Sequence, residues 1–254
     1  MKIHHIRNAT MIIETNNHVI LVDPMLGPKG SMAPFSFIRH KARKNPIVSM
    51  PVNSTELLTK VTHCLITHLH MDHLDKAGEQ FLIENNIPVI GSVKDEKELL
   101  KKGLNVVDVI EYWKQKEFLD GTIEGIPSRH GYGYVAKPMG NVMGFYIKLK
   151  NEPSVYLSSD TIYTDDVNKV LMEYKPDISV VASGSAQLDL FKPLLMTIDE
   201  ILKFTKNAPG QVIANHLEAV NHCPTTRTQL REIYAQEGLT NKTFVPEDGE
   251  VMVF

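Results

Sequence analysis

The chain has 254 residues, 43% of them hydrophobic and 22% charged, with 27 Lys and Arg against 30 Asp and Glu. This is an ordinary globular mix that excludes disorder and collagen-like repeats, and a formal net charge of −3 weighs against a dedicated nucleic-acid binder, which is normally basic. No apolar run reaches the 18 residues that suggest a membrane span, and two cysteines are too few for a disulfide framework, so a cytoplasmic protein is expected. The first residues, MKIHHIRNATMIIE, interrupt their apolar positions with His, Arg and Asn, so no secretory signal is expected. In chain order, Met11–Glu14 and His18–Val22 flank Thr15-Asn16-Asn17 and predict a β-hairpin. Further strands are predicted at 64–67, 88–90, 106–110, 122–126, 142–149, 154–158, 178–182, 211–214 and 251–254. Between them, Leu74–Glu84 reads as a helix behind a cap at Asp72, and Lys94–Lys102 is rich in helix formers. Thr197 and Glu200 form a capping box ahead of Ile201. Thr225 or Thr226 opens a last helix that Gly238 closes. No repeat or linker interrupts the chain, which reads as one domain over 1–254.

One segment stands apart. Residues 24–55 contain no Asp or Glu, but carry Lys29, Arg39, Lys41, Arg43 and Lys44, five prolines, and Phe35 and Phe37. A long, weakly periodic stretch in a compact domain is usually a functional or a mobile loop. Two readings stay open: a basic lid over an anionic substrate, with Arg39 among its contacts, or a solvated loop whose charges keep it soluble.

Histidine is the compositional anomaly. There are 11, and His63, His68, His70 and His73 fall within eleven residues. The run Thr67-His68-Leu69-His70-Met71-Asp72-His73 follows a strand and precedes a helix. Residues i and i+2 of an extended chain point the same way, so His68 and His70 can converge on one ion. The turn into the helix re-aims Asp72 and His73 at a second point. Imidazoles with a carboxylate suit a borderline divalent cation better than they suit a solvated polar turn.

His-x-His-x-Asp-His after a strand resembles the signature of the metallo-β-lactamase-fold hydrolases. Ile6–Thr10 (IRNAT), Ile20–Leu26 (ILVDPML), Ser158–Thr161 (SSDT) and His216–Cys223 (HLEAVNHC) are similar, in order, to the branch that includes the L-ascorbate-6-phosphate lactonases. The resemblance implies an α/β fold, a four-layer αββα sandwich of two mixed β-sheets flanked by helices. It also implies two divalent metal ions, zinc or manganese, with iron or cobalt compatible with the same donors. On this pattern His68, His70 and His130 hold one ion, Asp72, His73 and His216 hold the other, and Asp160 bridges both. Ser159 stands where the branch usually has Gly. Asp23 is implied to accept the free ring N–H of a ligand histidine, and His222, six residues after His216, to line the pocket wall. Taken alone, His130 could be a turn histidine, Asp160 a helix cap, and Asp23 a turn residue before Pro24.

The ligand set implies hydrolysis by a hydroxide shared between two ions, whose pKa falls from about 15.7 toward 7, with Asp72 as a catalytic proton shuttle. Arg39, Arg129, Tyr132, Glu218 and His222 are the candidate substrate contacts, and the expected substrate is a small, anionic lactone, ester or phosphodiester. The alternatives are a phospholipid phosphodiesterase and a metal-binding or interaction module of the same fold without activity. Nucleic-acid-processing members usually carry a large insertion before the last histidine, and here only 55 residues separate Asp160 from His216. A diiron redox member would carry glutamate where His70 stands. Oligomeric state leaves no trace in the sequence.

Overall fold

A computed structural model describes residues 1–254. The first six strands are β1 (Lys2–Arg7), β2 (Thr10–Glu14), β3 (Val19–Val22), β4 (His63–Leu65), β5 (Val89–Ser92) and β6 (Val106–Ile110). The next seven are β7 (Gln115–Phe118), β8 (Gly121–Pro127), β9 (Met143–Lys148), β10 (Val155–Leu157), β11 (Ile178–Ala182), β12 (Gln211–Asn215) and β13 (Thr243–Phe244). The last, β14 (Val251–Val253), returns to pair with β1. They form two seven-stranded sheets, β14-β1-β2-β3-β4-β5-β6 and β13-β12-β11-β10-β9-β8-β7. Each sheet mixes antiparallel hairpins with parallel pairs. The expected β2–β3 hairpin is present, with Ile12 opposite Leu21.

Period-two alternation sorts the apolar residues into layers. Met11, Ile13, Ile20 and Val22 point to the inter-sheet core, where they meet Phe145, Ile147, Leu157 and Val180 of the second sheet. Ile12, Leu21 and Cys64 point outward and pack with Leu82 and Leu99, which sit on α2 (Lys76–Glu84) and α3 (Glu96–Lys101). These follow the single-turn α1 (Ser54–Leu58). On the far side, Tyr156 and Val212 pack against α4 (Asp165–Lys169), α5 (Ile198–Asn207) and α6 (Arg227–Gln236) through Val167, Phe204 and Leu230. The expected αββα sandwich is the observed architecture.

Local signals explain most helix ends. Thr197 and Glu200 make both bonds of the capping box on α5, and Thr226 caps α6. The cap of α2 is Asp75, not Asp72: its carboxylate accepts from the Gly78 amide, and the helix starts two residues later than expected. Lys94–Lys102 shortens to α3, with Asp95 at the cap position but its carboxylate turned to the Asn141 amide and not to the helix.

The acid-free segment is fastened at both ends. Arg7, fully buried, donates to the carbonyls of Met25, Gly27 and Val48. Burial lowers its pKa to about 10, against the opposing carboxylates of Asp75 and Asp248. Asp75 also accepts from the Leu26 and Gly27 amides. Farther along, the buried Asn221 bonds Phe35, Ser36, Lys41 and Asn45.

Candidate metal centre

Five strand ends open onto one point. β3 delivers Asp23, β4 the 67–73 turn, β8 His130, β10 Asp160 and β12 His216. Ligand sites in open α/β sheets lie at the carboxyl ends of strands, where loops can bring distant residues together. Here both sheets contribute, so the convergence spans the sandwich.

The seven side chains read from the sequence as ligands come together. Three groups have their donor atoms within 4.8 Å of one another: His68, His70 and His130; His68, His73 and Asp160; and Asp72, His73 and His216. His68 Nε2 lies 3.2 Å from His70 Nδ1. Asp160 faces His73 Nε2 at 3.3 Å, His130 Nε2 at 3.4 Å and His216 Nε2 at 3.5 Å. Asp72 faces His216 Nε2 at 3.2 Å. All but the half-exposed His70 are buried.

The ring atoms turned away from this point are anchored. Asp23 accepts from the Thr67 amide (2.8 Å), the Thr67 hydroxyl (2.7 Å) and His73 Nδ1 (2.8 Å). The Thr67 oxygen in turn meets His68 Nδ1 at 3.0 Å, so Asp23 orients two imidazoles, one directly and one through a hydroxyl. His130 Nδ1 donates to the Leu194 carbonyl at 3.0 Å. His216 Nδ1 lies 3.4 Å from the buried Cys223 thiol. Inward, His73 Nε2, His216 Nε2 and Asp160 Oδ1 are buried without any hydrogen-bond partner. Buried polar atoms are rarely orphaned, and three that face one another fit a divalent cation bound by nitrogen and oxygen donors.

Charge agrees with that fit. Burial, reinforced by His73 and His70, pushes His68 well below its ordinary pKa, and burial also lowers His130, so both rings keep a lone pair at neutral pH. Burial opposes ionisation of Asp72 and Asp160, but the neighbouring His216 and His73 outweigh it and hold both well below the carboxylate range. Burial likewise opposes charge on His73, yet Asp160 and Asp23 push it up to about 10. Asp160 does the same to His216. The field between the rings therefore favours positive charge.

The backbone around the centre is unusual. Asn8, Asp23, Ser159, His216 and Glu218 all have φ between 47° and 58°. Non-glycine residues rarely adopt this left-handed region, and such residues cluster at functional sites. Asn8 is also a tie: its side chain donates to the Asp72 carbonyl, and its own carbonyl accepts from the His216 amide. Asn8, Thr67 and Cys223 lie inside the quoted motifs, but their contacts with Asp72, Asp23 and His216 carried no signal in the sequence.

The candidate substrate contacts scatter. His222 stays close, its ring 6.5 Å from His216, and burial lowers its pKa to about 4, so it is neutral at pH 7. The Arg39 guanidinium donates to the carbonyls of Leu188 and Asp189. Arg129 lines a separate cleft with Asp165 and Asp166 that includes none of the seven. The Glu218 carboxylate accepts from the amide and guanidinium of Arg227. Burial raises the Tyr132 hydroxyl, and the Glu200 carboxylate beside it adds to the shift.

Residues 18–216 match the family described as a beta-lactamase superfamily domain. Over its full length the chain is 34% identical to the UPF0173 protein YddR of Bacillus subtilis, and it covers all of that protein. It is 25% identical to the UPF0173 metal-dependent hydrolase RD1_1994 of Roseobacter denitrificans, with 72% of this chain and 73% of that protein aligned. Among solved structures, the isothiocyanate hydrolase from Delia radicum gut bacteria superposes with a TM-score of 0.91 at 30% identity, covering 100% of this chain and 99% of that one.

Proposed function

The chain belongs to the beta-lactamase superfamily and is a metal-dependent hydrolase of the metallo-β-lactamase fold; from that premise we propose that it holds two divalent ions, zinc or manganese, and hydrolyses a small substrate at an electrophilic carbon. The convergence of seven His and Asp donors from both sheets on Asp160 carries this reading. His68, His70 and His130 would hold one ion, and Asp72, His73 and His216 the other, with Asp160 between them. Bound there, the ions supply Lewis acidity and bring water toward ionisation at neutral pH.

The chain's own residues do the rest. Asp23 and the Leu194 carbonyl accept from Nδ1 of His73 and His130, so their Nε2 atoms face inward and would be the ligating nitrogens. Asp72, kept ionised and tethered by Asn8 through its carbonyl, accepts the proton of the attacking water and returns it to the leaving group. His222, neutral and with a buried, unpartnered Nδ1, is available for one hydrogen bond to substrate.

The substrate class follows from what surrounds this machinery. The Arg39 guanidinium is taken up by two carbonyls and Arg129 lines a separate cleft, so neither is seen to offer the centre a side-chain cation, and an uncharged reacting group suits it. The likeness to an isothiocyanate hydrolase points the same way. Its class of reaction, R–N=C=S + H₂O → R–NH₂ + O=C=S, needs attack at carbon and proton delivery to nitrogen, which is the pairing that Asp72 supports. Lactones and esters need the same two events.

The test is a hydrolysis panel with metal-reconstituted protein: phenethyl isothiocyanate, an aliphatic lactone, p-nitrophenyl acetate and bis(p-nitrophenyl) phosphate, alongside metal content by elemental analysis. Two ions per chain and turnover of a carbon electrophile, lost in Asp160→Asn, are expected. Fewer than one ion after reconstitution, or turnover of the phosphodiester alone, refutes the proposal.

A further inference from the structure

The acid-free segment touches the neighbourhood of the metal centre through Phe35, whose ring lies 5.1 Å from that of His222, but its five cations are turned to other uses. The ion pairs of the protein engage none of its five cations. The rest of the chain carries 22 cations against 30 carboxylates, a balance of −8, while residues 24–55 carry +5. Positive charge is thus concentrated on one exposed segment of an otherwise acidic molecule.

Large apolar side chains sit in the same place. Phe37 (62% exposed), Ile38 (84%), Leu190 (85%) and Phe191 (52%) all stand in water. They belong to two turns fused by one carboxylate: Asp189 accepts from the Ser36 hydroxyl and from the amides of Phe37, Ile38 and Arg39. Arg39 returns the contact through its guanidinium to the 188 and 189 carbonyls. The result is an apolar tip flanked in sequence by exposed Arg39, Lys41, Arg43, Lys44 and Lys192. Behind it lies a cleft of about 640 Å³ lined by Arg39, Lys41 and Arg43, whose one carboxylate, Glu218, is paired with Arg227.

A grouped apolar surface of this kind marks an interaction site, and its charge selects among partners. Symmetric packing against a second copy would bring the same unpaired cations face to face. An anionic bilayer offers phosphates to the cations and an apolar boundary to the four side chains. We propose that this tip docks the protein reversibly on a membrane surface rich in anionic phospholipid. No helix is long and apolar enough to cross a membrane, so contact of this kind stays peripheral. The proposal is independent of what the metal centre hydrolyses.

Sedimentation of the full chain with vesicles tests it. Binding is expected with an equal mixture of phosphatidylcholine and phosphatidylglycerol, not with phosphatidylcholine alone, and it weakens as salt rises. Lys41→Gln/Arg43→Gln/Lys44→Gln should weaken partition roughly a hundredfold. Ile38→Ser/Leu190→Ser should remove most of the remainder. All five side chains are exposed, and unchanged circular dichroism would show that both variants fold. Equal binding to both vesicles, binding to neither, or binding unaffected by the variants overturns the proposal. So does a dimer in light scattering that Ile38→Ser/Leu190→Ser dissolves, which would assign the tip to a second copy.

Discussion

Ser159 offers the cleanest test of how the turn before Asp160 is built. Its φ of 57° lies where an L-residue with a Cβ is strained by roughly 1–2 kcal/mol, and glycine is not. Its hydroxyl is buried without a partner, which adds to the burden on the folded state. Against this, glycine gives the unfolded chain extra freedom worth about 0.5–1 kcal/mol. Ser159→Gly should therefore stabilise the protein by about 1 kcal/mol, a rise of roughly 2–4 °C in Tm for a chain of this size. Thermal unfolding followed by circular dichroism in excess chelator reads this without a contribution from bound ions. Ser159→Ala is the companion variant: it removes the hydroxyl but keeps the Cβ, so it should gain less. If the glycine variant melts at or below the parent, or the alanine variant gains as much, backbone strain is not what this position carries.

Two further outcomes follow from named contacts. Asp23→Ala leaves the Thr67 amide and His73 Nδ1 without their acceptor; at about 1–3 kcal/mol per orphan, urea unfolding should show a loss of roughly 2–6 kcal/mol. Metal affinity, read by competition with a chromophoric chelator, should fall about 10–100-fold, and unchanged affinity would sink the orienting role. Asp177 gives a pH signature: hydrogen bonds from the Ser154 hydroxyl and amide hold its pKa below the ordinary value. A depressed carboxylate stabilises the fold above its unfolded pKa, near 3.9, and loses that contribution as pH falls through the folded value. The stability gap between the parent and Asp177→Asn should accordingly shrink on acidification below about pH 4; a gap constant with pH contradicts it.

Individual strands, the capping box and the 68–73 donors were legible from local pattern, whereas the layering and the parts of His130, Asp160 and His216 came from the family resemblance. Alternation in Met11–Glu14 and the capping box at Thr197 need only neighbours in sequence, and the 68–73 turn shows its donors together. What stayed hidden depends on distant partners. β1 is obscured by His4, His5 and Arg7, which read as polar interruptions yet are buried: His4 meets Glu14, and Arg7 meets three carbonyls. β7, Gln-Lys-Glu-Phe, is an edge strand with three exposed polar residues, and β13 has only two residues. Composition revealed the basic segment but not its aim. A sequence shows that Arg39 is charged, not that its guanidinium is taken up by two carbonyls.

Arg7 has a consequence for how this enzyme can diversify. Because one guanidinium clasps Met25, Gly27 and Val48, the ends of the intervening chain are drawn together on β1, while its far side is tied separately to Asn221 and Asp189. Lengthening, shortening or rewriting that far side need not disturb Asp23, which sits outside the clasp on the strand side. A replacement segment that keeps partners for Arg7, Asn221 and Asp189 could therefore change what the protein adheres to or admits while the hydrolytic frame stays fixed.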